Sequence, residues 1–265
     1  MSPWLGNPVR GVLLDITGVL YNSGGSGGGI VIEGSVEAVE RLKAANISVR
    51  LVTNETQSTR EKLIQKLGRH GYSVNVDDVF APAPAVSKLL KERRLSPYLL
   101  VHPGVLSEFD NVDTSSPNCV VVGDAEDHFT YDNVNKAFQT LMGLDTPILI
   151  SMGKGKYYKQ GDHFQLDLGA YVAGLEYSCD IKAEIVGKPS KDYFMTALND
   201  MHVSPSEAVM VGDDIVHDIG GAQNAGIKGM LVRTGKYRPS DENHPLVKPD
   251  VIVDNLAKAV DLILS

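Results

Sequence analysis

Two cysteines in 265 residues are too few for a disulfide framework, and neither Cys119 nor Cys179 stands in a CxxC or Cys–His spacing. Both read as buried thiols. The seven histidines are scattered with no HExxH among them, so a zinc site is not expected. No apolar run reaches the roughly 18 residues needed to cross a bilayer. The first seven residues, Met1-Ser-Pro-Trp-Leu-Gly-Asn7, have neither the n-region nor the h-region of a signal peptide, and a cytosolic protein is expected. Positive charge is also short. Lys and Arg number 25 against 33 Asp and Glu, a formal charge of −8 with no basic stripe, which argues against nucleic-acid or membrane partners. Neither a GxxxxGK[ST] phosphate loop nor a GxGxxG turn leading into a helix occurs.

What the chain does have is four short segments in which polar residues follow apolar runs or tight turns. Gly11-Val-Leu-Leu-Asp15-Ile-Thr17-Gly18 reads as a buried parallel strand that delivers one carboxylate at its carboxyl end, where ligands of open α/β sheets collect. Val49-Arg-Leu-Val-Thr53-Asn54 ends a second apolar strand in a hydroxyl and an amide, with backbone N–H groups behind them at a helix start. Val186-Gly187-Lys188-Pro189-Ser190 is a loop whose only cation is Lys188. Ala208-Val-Met-Val-Gly212-Asp213-Asp214-Ile-Val-His-Asp218 brings adjacent acids to a helix start, and a helix dipole offsets only about 1 kcal/mol of their repulsion. A hard cation would remove that conflict. Each segment also has a plain local explanation: a strand-ending Asp, an N-cap Thr, a solvated Lys, a capped helix.

Taken in order, strand-Asp, strand-Thr, Gly-Lys-Pro and strand-Gly-Asp-Asp resemble the four signature motifs of the haloacid dehalogenase superfamily of phosphatases. The resemblance implies an α/β protein, a Rossmann-like parallel sheet core with an inserted α/β cap domain of the C2 type. It implies that Asp15 is the nucleophile, that Lys188 and Thr53 complete the catalytic set, and that Asp15, Ile16, Thr17, Thr53, Asn54 and Lys188 bind the phosphoryl group. It further implies that Mg²⁺ is held by Asp15, by the Thr17 carbonyl and by Asp213, with Asp214 or Asp218 holding metal-bound water. A homodimer and a cytoplasmic, also nuclear, location are implied in the same way.

One residue departs from the pattern. Many phosphatases of this superfamily carry a second Asp two residues after the nucleophile, as general acid and base. This chain has Thr17 there, and a hydroxyl cannot supply acid–base help that is typically worth about 10²–10⁴-fold. Substrates whose leaving group departs readily or brings its own proton suffer least. Phosphohistidine, phospholysine and pyrophosphate are therefore expected ahead of alkyl phosphates, the partner being a phosphorylated small molecule or a phosphohistidine or phospholysine protein. A small-metabolite phosphomonoesterase and a phosphate-binding scaffold without turnover are the alternatives.

Strands and helices alternate along the chain as in parallel βαβ units. Helices are expected over 35–45, 57–71, 131–142 and 256–264, with strands over 48–53, 98–102, 119–123, 147–151 and 229–233. The proline pair in Val79-Phe-Ala-Pro-Ala-Pro84 suits a linker, which divides the chain into a discontinuous core (1–80 and 183–265) and a cap (81–182). The glycine run between Asn22 and Gly29 is either a flexible connection or a flap over Asp15. Lys154, Lys156 and Lys159 are either solvated or a second anion site. Arg233-Thr-Gly-Lys-Tyr-Arg-Pro239 reads as a surface turn.

Overall fold

The computed structural model describes residues 8–24, 28–160 and 163–265. The stretch read for a signal peptide, residues 1–7, and the centre of the glycine run, residues 25–27, lie outside the described residues. Among those described, no helix is long and apolar enough to cross a membrane.

Six strands of the larger sheet are β1 (Gly11–Leu14), β4 (Ser48–Val52), β5 (Val79–Phe80), β12 (Ala208–Gly212), β13 (Lys228–Val232) and β14 (Val251–Val253). They lie in the order β14-β13-β12-β1-β4-β5 and every pairing is parallel. β1 is central and wholly buried. Its period of two sends Val12 and Leu14 to one face, packed against Val39 and Leu42 of α1 (Ser35–Ala44), Leu63 and Leu67 of α2 (Arg60–Arg69) and Val260 of α8 (Leu256–Ile263). Leu13 points to the other face, against Phe194 and Leu198 of α6 (Lys191–Met201). Helices on both faces explain why these strands read as continuous apolar runs. Because β4, β1 and β12 are neighbours running the same way, Thr53, Asp15 and Asp213 leave the sheet side by side at its carboxyl edge.

A second parallel sheet, ordered β11 (Glu184–Ile185), β8 (Leu149–Ser151), β7 (Cys119–Val122) and β6 (Pro97–Leu100), forms between the second and third of the four segments singled out in the sequence. One of its faces is covered by α3 (Pro82–Arg93) and the other by α4 (Tyr131–Met142) and α5 (Gly169–Cys179). Two small antiparallel pairs complete the list, β2 (Tyr21–Asn22) with β3 (Ile30–Val31) and β9 (Tyr157–Gln160) with β10 (His163–Leu166). β2 and β3 thus pair on either side of the glycine run.

Several expectations change here. Residues 79–84 are not a linker: Val79–Phe80 is the edge strand of the large sheet, and Pro82 is the first residue of α3, where a missing N–H is harmless. The second boundary, drawn between residues 182 and 183, falls before β11, which pairs with β8. The helix expected from residue 57 starts at Arg60, because the Thr59 side chain accepts from Lys62 N–H and caps it.

Candidate active site

Asp15 sits just past β1, 7% exposed, with its N–H donating to Val211 O at 3.0 Å. Lys188, 3% exposed, reaches it from the turn that follows β11. The Lys188 Nζ lies 2.5 Å from Asp15 Oδ1 and 2.7 Å from Asp218 Oδ1, the second contact an ion pair without hydrogen-bond alignment. Asp213 follows β12 directly. Asp218 comes from a short run of wide π-helical turns, Ile215–Gly220, and its Oδ2 accepts from Asp214 N–H at 3.1 Å. One carboxylate oxygen from each of Asp15, Asp213 and Asp218 falls within 4.8 Å of the others, and all three residues are buried.

Three carboxylates around one lysine leave an excess of buried negative charge. Burial, with Asp218 beside it, pushes the Asp15 carboxyl up to about 6 in spite of Lys188. Burial also drives Asp213 well above the ordinary carboxylate range, against the pull of Lys236. Burial works to lower Lys188, but Asp15 and Asp218 outweigh it and hold the ammonium above its usual value. The Oδ1 of Asp213 is buried with no hydrogen-bond partner. An orphaned carboxylate oxygen on a residue grouped with two more buried carboxylates fits a hard, oxygen-seeking divalent cation such as Mg²⁺.

Glycines shape the wall of this cluster. A Cβ on Gly18 (φ +96°) would stand 2.1 Å from Asp213 Oδ2, and one on Gly235 (φ +63°) 2.0 Å from the same atom. Gly212 would place one 2.3 Å from Asp218 Oδ2. Side chains are excluded where the carboxylates must approach the backbone.

The other residues expected at the site divide. Thr53 is 4% exposed at the end of β4, and its Oγ1 accepts from Glu55 N–H at 3.0 Å. Thr17 is part-buried, its Oγ1 at 3.5 Å from the Tyr21 hydroxyl, on the same turn as Asp15. The Ile16 side chain is in the core, so this residue can offer a phosphoryl group only its backbone. The carboxamide of Asn54 is taken up by Lys188: Oδ1 accepts from Lys188 N–H at 2.8 Å and Nδ2 donates to Lys188 O at 2.9 Å. Asp214 is not brought into the carboxylate cluster. Its Oδ1 caps Val216 and His217 N–H, and its Oδ2 meets Lys236 Nζ at 3.0 Å and His217 Nδ1 at 2.8 Å. Burial opposes its ionisation, but Lys236 and His217 prevail and hold it well below the usual range.

Two contributors are new. The segment expected as a surface turn folds into the site: Lys236 N–H donates to Asp213 Oδ2 at 2.7 Å, and the Thr234 hydroxyl donates to Gly18 O. Its position at the carboxyl end of β13 was the available signal. The buried Tyr193 hydroxyl sits 2.8 Å from Thr53 O and 2.5 Å from Phe80 O, tying together the ends of β4 and β5. Lys154 is neither free nor at this site. Its Nζ bonds both oxygens of Glu176 at 3.0 Å.

Known proteins match this arrangement along its whole length. A family profile described as "Haloacid dehalogenase-like hydrolase" matches residues 12–115, and a second, "HAD-hydrolase-like", matches residues 185–259. The Xenopus laevis protein named phospholysine phosphohistidine inorganic pyrophosphate phosphatase is 57% identical over 100% of this chain and 98% of its own. The Homo sapiens protein of the same name is also 57% identical, over 100% and 98% respectively. Among solved structures, the 4-nitrophenylphosphatase of Thermotoga maritima superimposes with a TM-score of 0.85 at 25% identity, covering 96% of this chain and 97% of that one. Motif order, sheet order and full-length identity agree: the chain belongs to the phospholysine phosphohistidine inorganic pyrophosphate phosphatase family of the haloacid dehalogenase superfamily.

Proposed function

We propose that this phosphatase hydrolyses P–N bonds, as in phosphohistidine and phospholysine, and pyrophosphate, with Mg²⁺ as cofactor and through an aspartyl-phosphate on Asp15. The observation that carries the reading is the buried convergence of Asp15, Lys188, Asp213 and Asp218 at the carboxyl edge of the large sheet. Asp15 Oδ attacks phosphorus, a P–O bond to Asp15 forms, and the P–N or P–O bond to the leaving group breaks. Water then attacks the phosphorus of that intermediate and returns the carboxylate. Splitting one hard displacement into two is the gain from covalent catalysis.

Lys188 holds Asp15 ionised and oriented and offers positive charge to the equatorial oxygens, which Thr53 and the backbone N–H groups after Asp15 and Thr53 also face. Such positioning and charge stabilisation carry most of phosphoryl-transfer catalysis. Bound Mg²⁺, held by Asp15, Asp213 and the Thr17 carbonyl with Asp218 close behind, would neutralise charge on the transferring group. Thr17 leaves the leaving-group side without a carboxyl acid, which is why P–N and P–O–P bonds are favoured over alkyl esters. Residues 81–185 act as the cap and the remainder as the core, the second boundary being set after β11. The reading includes a homodimer and a cytoplasmic and nuclear location, both resting on the resemblance.

Purified protein given Mg²⁺ and phosphoramidate tests it. Phosphate release is expected, lost in Asp15→Asn. Release that persists in Asp15→Asn, or no release from any P–N or P–O–P compound, would refute it.

A further inference from the structure

The structure assigns Asn54 a task other than touching substrate: we infer that its carboxamide is a positioning device for Lys188, fixing the lysine's backbone so that its ammonium lands between Asp15 and Asp218. This rests on the proposed role of Lys188 and extends it.

Three observations carry the inference. Both functional halves of the amide are spent on the backbone of one residue, Oδ1 on Lys188 N–H at 2.8 Å and Nδ2 on Lys188 O at 2.9 Å. This two-point clamp spans 134 positions of sequence and fixes both peptide units that flank the Lys188 Cα. The surroundings are shaped for it. Gly187 has φ +132°, and a Cβ there would come within 2.9 Å of Asn54 Oδ1, while one on Gly153 would come within 3.5 Å of Asn54 Nδ2. The carboxamide thus lies where the end of β4, the cap loop after β8 and the chain returning from the cap meet. Finally, Lys188 is a flexible side chain 3% exposed, with Nζ in contact with two carboxylates, and a held Cα lowers the conformational entropy lost in keeping it there. With its side chain committed, Asn54 keeps only its backbone N–H for a phosphoryl oxygen.

A misplacement of the order of 1 Å at a catalytic group can lower turnover about 100-fold. The test is a double-mutant cycle on the full chain with Mg²⁺ and labelled phosphoramidate, comparing kcat/KM of wild type, Asn54→Ala, Lys188→Ala and the double variant. Asn54→Ala is expected to lose on the order of 100-fold in wild type but less than about 2-fold in the Lys188→Ala background, because the lysine it positions is gone. The same loss in both backgrounds would mean that the amide binds the phosphoryl group itself, and the inference fails. If Lys188→Ala retains full turnover, the inference and the assigned role of Lys188 fall together. Should either alanine variant not fold, Asn54→Ser and Lys188→Gln carry the same cycle.

Discussion

At the scale of single residues, the site is built as much by atoms left out as by carboxylates put in. A Cβ on either Gly18 or Gly235 would collide with Asp213 Oδ2, and one on Gly235 would also meet the Gly18 backbone at 2.6 Å. Gly235→Ala is therefore expected to lower kcat by at least an order of magnitude and to weaken Mg²⁺ binding, read by titrating activity against Mg²⁺. On the proposed role of Thr17 in setting the leaving-group range, Thr17→Asp should raise turnover of an alkyl phosphate more than that of phosphoramidate, by up to about 10²-fold. Equal effects on the two substrates would show that Thr17 is not the reason for the preference. Asp15, Thr53, Lys188 and Asp213 were legible in the sequence as polar residues at strand ends or in a tight turn. Lys236 was not, since a lysine in a Gly-Lys-Tyr turn looks like any solvated cation. The engagement of Asn54 was also hidden, because its partner lies 134 residues away.

At the scale of elements, strands whose two faces are both covered announced themselves as apolar runs, whereas the two-residue strands β5 and β11 gave too short a signal. Proline misled at Pro82, where the same residue that ends helices begins one. The loops between elements are held by small polar clusters. Asp250, just before β14, is the centre of one: it accepts from Gly229 N–H at 2.9 Å and Lys228 Nζ at 2.9 Å, both in β13, and from Gln223 Nε2 at 3.0 Å. Burial opposes its ionisation, but those donors prevail and keep its carboxyl below the ordinary 3.8. A depressed carboxylate contributes stability above its unfolded value and loses it as pH falls through the folded one. Asp250→Asn should thus cost about 1–2 kcal/mol at neutral pH, with the difference shrinking below pH 3.8, measured by urea melts across pH. A loss independent of pH would contradict it.

At the scale of the whole molecule, the cap meets the core through the same segment that carries Thr53 and Asn54. The Thr56 hydroxyl accepts from Asp124 N–H at 2.9 Å, and Gln57 Nε2 donates to Asp124 Oδ2 at 2.7 Å and to Glu126 Oε1 at 3.0 Å. Gln57→Ala is expected to lower kcat/KM several-fold with little change in Tm, since it loosens a contact between two sheets without opening either core. A carboxylate cluster that holds Mg²⁺, as proposed, couples stability to the cation. Saturating Mg²⁺ should raise Tm, by the equivalent of about 2.7 kcal/mol at 100 times Kd, and Asp213→Asn should abolish the rise. Above both stands the proposed covalent step. Protein incubated with Mg²⁺ and phosphoramidate, quenched in acid and analysed by peptide mass spectrometry should carry one added phosphoryl group on the peptide containing Asp15. Modification of any other residue, or turnover with no modified Asp15 at any quench time, would contradict the account.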